Sequence, residues 1–279
     1  MKELRVAVDQ FLGIIKSQKR LRIVHSGSDV KRVSKETQVV LGLQNTVRDI
    51  NLVELYDLGV RVVGIAYQDS NSFGGGFANQ EFSLTNRGKR LIEDCAKIGM
   101  ILDLSHSNWS TAIDALDFIR EEALQVGTMA SHGGCWEVYN HKRNFSTRIL
   151  QSIAEVNGYI GVASLTFILS SVSSLPSIFA RHLNYVIRNC GSNSVGIGGD
   201  GVFAFQDPIA WEAEFSQLKS KLDGTNDFGA RWPDQPFKFN TPKRMDVIRR
   251  LIRKSNLLIE EQNGILGENF MRFLQNNLP

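Results

Sequence analysis

Short, nearly continuous apolar runs that end in a polar or glycine residue recur along the chain. They cover residues 39–44 (VVLGLQ), 60–68 (VRVVGIAYQ), 100–106 (MILDLSH), 126–132 (VGTMASH), 159–164 (YIGVAS) and 195–200 (VGIGGD). Their length and β-branched content predict strands buried on both faces, the habit of parallel sheets. A weaker strand is expected at 21–24 (LRIV), after an amphipathic helix carrying Val6, Val8, Phe11, Leu12 and Ile15. Helical spacing fills 87–98 and 109–122. The segment Thr85-Asn86-Arg87-Gly88 can cap the first of these helices, and Ser107 or Asn108 the second.

Strand and helix alternate as repeated βα units. The strands end in residues capable of chemistry: Gln44, Gln68, His106, His132, Ser164 and Asp200. In a closed barrel those ends converge on one face, whereas in an open doubly wound sheet they line a crevice. No GxGxxG follows a strand, which disfavours dinucleotide binding. Six strands are clear where a closed barrel needs eight, so an incomplete barrel is expected, forming a single domain over 1–279. Residues 1–36 supply the N-terminal helix and short strand. Residues 201–245, rich in aromatic and loop residues, are expected to lie over the strand ends.

The 42% hydrophobic and 22% charged composition supports a large core and excludes global disorder. Thirty-two Lys and Arg against 29 Asp and Glu leave +3, spread thinly, which argues against nucleic acid as a partner. Three cysteines without a CxxC pair suggest neither a disulfide framework nor a cysteine zinc site, so a reduced, cytoplasmic protein is expected. No apolar stretch is long enough to span a bilayer, and nothing resembles a signal peptide.

His106 and His132 stand at equivalent ends of neighbouring strands, where two imidazoles can share a metal ion or act as acid and base. The plainer alternative is that each hydrogen-bonds locally. Asp200 follows three glycines and suits a general acid/base, a metal ligand or a turn residue. Alternation sets Asp103 opposite Leu102 and Leu104, as a buried partner rather than a ligand. Arg143, in the loop after His132, can clamp a carboxylate or remain a surface charge. Gly74-Gly75-Gly76 lacks the GK[ST] of a phosphate loop, and Cys135 lacks an activating setting.

Taken in order, several motifs resemble the membrane (renal-type) dipeptidase family of zinc peptidases. They are LYDLGVR (55–61), LTNRG (84–88), GMILDLSH (99–106), SH (131–132), NHKRN (140–144), VGIGGD (195–200) and ILGENFMR (265–272). The likeness spans residues 20–275. It implies a (β/α)₈ TIM barrel of the amidohydrolase type, hydrolysis of dipeptides at a two-zinc site, and pairing as a homodimer. By the same resemblance, His106 and His132 match the histidines of the second zinc. Arg143 matches the arginine on the substrate carboxylate, and Asp200 the aspartate that passes a proton to the leaving amine.

Three departures stand against this. The family's opening His-x-Asp strand is absent, Gln44 occupies the place of the bridging glutamate, and Gln68 that of the histidine polarising the substrate carbonyl. At most one zinc is therefore expected. The missing start corresponds to the first two βα units. Three readings follow: a metallohydrolase of dipeptides, a catalytically silent relative that binds small ligands or partners, and a chain whose missing strands are supplied from elsewhere.

Overall fold

A computed structural model describes residues 2–47, 49–170, 175–201, 216 and 243–279. Most of the irregular region expected at 201–245 lies outside these. Contacts divide the chain into two compact units, the first comprising Met1–Ser131, Ser152–Tyr159 and Glu268–Pro279 and the second His132–Gln151 and Ile160–Gly267.

In the first unit, helix α1 (Lys2–Ser17) leads to a two-stranded parallel sheet of β1 (Leu21–Ile23) and β2 (Thr37–Val39). β3 (Leu41–Leu43), β4 (Val60–Gly64), β5 (Ile101–Asp103) and β6 (Thr128–Gly133) follow, interleaved with α2 (Leu52–Asp57), α3 (Asn86–Ile98) and α4 (Trp109–Glu121). Neighbouring strands pair in parallel, with Val63 facing Leu102 and Leu102 facing Thr128. Every residue of β4 is buried, as expected for a strand covered on both faces. The caps are those the sequence allows: the Thr85 side chain accepts from the Gly88 N–H, and that of Asn108 accepts from the Thr111 N–H.

The C-terminus closes this unit's core. Phe273, Leu274 and Leu278 pack with Val24, Val30, Val62, Ile101, Met129 and Tyr159. Two glycines make the seat, since a Cβ on Gly27 would sit 2.6 Å from the Gln275 carbonyl oxygen and one on Gly127 2.6 Å from the Asn277 Cβ. Glycine is required there for close approach rather than for its backbone angles.

In the second unit β7 (Tyr159–Ala163, whose first residue belongs to the first unit) pairs in parallel with β8 (Val195–Gly198). Between them run α6 (Thr166–Leu169) and α7 (Leu175–Cys190), after α5 (Thr147–Glu155). The buried stripe of α7 carries Phe179, Leu183 and Val186 together with His182. The His182 Nδ1 accepts the Cys135 N–H at 2.9 Å, so its Nε2 carries the proton facing the Leu169 carbonyl, also at 2.9 Å. Burial pushes the pKa of this imidazole down to about 4. Helix α8 (Arg244–Arg253) buries Ile248 and Ile252, and α9 (Ile259–Asn263) follows, while α10 (Asn269–Asn277) belongs to the first unit.

Within the first unit the strands of the larger sheet run β3-β4-β5-β6, in chain order. All seven anticipated strands are present. Most are shorter at their C-terminal ends than the apolar runs, because residues such as Tyr67 and Ser105 already turn into loops. β2 was not anticipated, as its Thr37-Gln38 start is polar.

Candidate functional site

The ends of β5 and β6 in the first unit are joined by a buried carboxylate. Asp103 accepts hydrogen bonds from the Ser105 N–H and hydroxyl and from the Ser131 N–H and hydroxyl. His106 follows one serine and His132 the other. The His106 ring is buried and stacks on Tyr67 at 4.0 Å between centroids, with Phe77 tilted at 5.9 Å.

In the second unit His132 and Asp200 are brought together, Nε2 to Oδ2, at 3.6 Å. That separation is ion-pair range but too long for a hydrogen bond. Asp200 has φ +41°, a left-handed conformation uncommon outside glycine and asparagine-like residues. Its approach is fixed from behind, where the Ser164 hydroxyl donates to the Gly199 carbonyl at 2.7 Å. Arg143 is buried, only 6% exposed, and its N–H donates to His141 Nδ1 at 3.2 Å. It is not the solvated surface charge that a loop arginine is by default.

A second buried guanidinium, Arg244 of α8, shares a pocket with Ser164 and Phe179. Burial presses its pKa below the usual arginine value, and the Asp200 carboxylate opposes that shift. Sequence reasoning passed over Arg244 among the neighbouring Arg249, Arg250 and Arg253. The signal was its place at i, i+4, i+8 with Ile248 and Ile252, on the buried stripe.

The remaining candidates have plainer settings. Gln44 is exposed just past β3, and Gln68 is half-buried beyond β4. The Gly74-Gly75-Gly76 run docks on the start of α4: the Gly75 N–H donates to the Thr111 hydroxyl, and its carbonyl accepts the Asn108 N–H. Cys135 is buried and its thiol is pushed well above the usual range, first by burial, which suits a structural role.

The model of the membrane dipeptidase family, peptidase family M19, matches residues 6–210. The chain belongs to that family. A dipeptidase of Schizosaccharomyces pombe, itself uncharacterized, is 24% identical over 229 residues, covering 79% of this chain and 47% of that protein. The chain thus spans about half the length of this relative. Among solved structures, an amidohydrolase from Pseudomonas aeruginosa superposes with TM-score 0.82 at 21% identity, over 100% of this chain and 85% of that one. A metallopeptidase from Rhodobacter sphaeroides, liganded with a phosphinate mimic of the dipeptide L-Ala-D-Ala, gives TM-score 0.75 at 20% identity, over 98% and 74%. The fold is the α/β-barrel type of these solved structures, with strand and helix alternating along the chain.

Membership in a metallopeptidase family calls for a test of the donors. Two dications need anionic ligands between them, and the amide of Gln44 is neutral. Among the described residues no group of three His, Cys, Asp or Glu side chains is placed to hold a metal ion. The residues present do not fit the two-zinc site. No helix among the described residues is long and apolar enough to cross a membrane.

Proposed function

We propose that the chain acts on dipeptide-like molecules, as a hydrolase whose proton chemistry is carried by Asp200 beside His132. The observation that carries this reading is the pair itself: a buried imidazole 3.6 Å from a carboxylate on a strained turn. Cleaving a peptide bond requires a proton for the leaving amine, and a carboxylate next to an imidazole can hold and release one. Arg143 would grip the terminal carboxylate of the substrate through its planar fork. Gln68 would contact the substrate near its carbonyl. Gln44, in place of an anionic bridge, supports a requirement for at most one zinc ion per chain.

The same amide favours a second reading, a silent relative that binds dipeptides through Arg143 without cleaving them. Dipeptide hydrolysis and metal content measured on one preparation separate the two. Turnover that falls on His132→Ala, with zinc at or below one per chain, supports the hydrolase. A rise in melting temperature with dipeptides, lost in Arg143→Ala and without turnover, supports the binder. The cytoplasmic location and the homodimer are proposals of the same standing, the first from the cysteine content and the second from family likeness.

A further inference from the structure

The β5–β6 ladder stops one residue early, and a side chain takes over. The Leu104 N–H still donates to the Met129 carbonyl at 2.8 Å. The next rung would join the Ser131 N–H to the Leu104 carbonyl, but that carbonyl accepts the Ser107 N–H in a local turn, at 2.9 Å. The Ser131 N–H donates instead to Asp103 Oδ1 at 3.0 Å. Its hydroxyl donates to Oδ2 at 2.5 Å, while the Ser105 N–H and hydroxyl donate to Oδ1 at 3.0 and 2.6 Å. Four donors thus converge on the carboxylate, three of them on Oδ1. The two serine hydroxyls also lie 2.9 Å apart.

We infer that Asp103 is a positioning residue, a clip that ends the ladder and fixes the two peptides from which His106 and His132 project. Each of its donors belongs to the residue immediately before a histidine. Regular pairing would continue the ladder past Leu104; here the β5 chain turns away at Leu104–Ser107 while β6 runs on to Gly133, and the clip ties the Ser105 and Ser131 peptides to one carboxylate. Its effect on turnover rests on the hydrolase reading above. The clip itself does not.

Carbethoxylation of the five histidines by diethyl pyrocarbonate, followed residue by residue by mass spectrometry on the full chain, tests this. In Asp103→Asn, where an amide NH₂ faces donors, His106 and His132 should react roughly tenfold faster, the scale of losing a charge-assisted hydrogen bond. The other buried histidines, His141 and His182, should stay within about twofold, since general loosening would expose them as well, and the exposed His25 serves as the reference. Equal acceleration at all four buried histidines, or none at His106 and His132, overturns the proposal. Ser131→Ala, which keeps the N–H donor and packs without strain, should give the same pattern at smaller amplitude. It decides the question by the same criteria should Asp103→Asn fail to fold. Absence of dipeptide turnover in the parent chain would overturn the hydrolase reading while leaving this reactivity pattern as expected.

Discussion

The two units hold their charges in contrasting ways. In the first, Asp103 meets four donors, and the Arg61 guanidinium donates to the carbonyls of His25, Tyr56 and Val60 while lying 3.7 Å over the Tyr56 ring. Asp29 is held at about pKa 2, chiefly by the His25 N–H and also by the Ser26 N–H, its hydroxyl and Arg22. In the second unit, Asp200 sits at a positive φ and stands 3.6 Å from His132. Charges held by several fixed partners build a rigid frame. A carboxylate held in strain beside an imidazole is the arrangement from which protons move. Under the proposed function, the difference separates residues that hold the scaffold from residues that carry the chemistry.

That contrast can be broken by substitution, and the largest effect is expected on turnover. Asp200→Asn should lower dipeptide hydrolysis by about 10²–10⁴-fold, the usual scale for a general acid or base, with little change in melting temperature. Asp103→Asn should in addition cost about 2–4 kcal/mol of stability in a denaturant titration, because a buried network loses an acceptor.

Acidification should discriminate next. His182 has its pKa lowered from 6.5 to about 4, so the unfolded chain takes up this proton first. Its contribution is complete above pH 6.5 and is lost as the pH falls towards 4, by about 3 kcal/mol in all. Stability measured between pH 7 and 4 should show this decline, and His182→Gln should flatten it. Asp29 works in a lower window: its contribution holds above pH 3.8 and fades as the pH falls through about 2.

The smallest effect has the opposite sign. Asp200→Gly should stabilise the chain by about 0.5–1 kcal/mol, since glycine accepts a positive φ freely, while removing the carboxylate altogether. A destabilised Asp200→Gly protein would mean that the residue belongs to the frame.

Much of this was legible in residue pattern. The strands showed as apolar runs because both faces are covered. Alternation also placed Asp103 as a buried partner, which its four donors bear out. The identity of those donors was not legible, since it depends on where a ladder stops rather than on side-chain period. Arg244 was hidden for a related reason: in a helix full of arginines, charge masked a periodicity that the neighbouring isoleucines carried. β2 escaped because three residues beginning Thr-Gln carry no apolar signal.

Dipeptide hydrolysis by the parent chain and by Asp200→Asn, assayed side by side with zinc content determined on the same samples, tests the central claim most directly. The account predicts turnover in the parent, its loss in the variant, and no more than one zinc in either. Equal rates in the two proteins, or two tightly held zinc ions per chain, would contradict it.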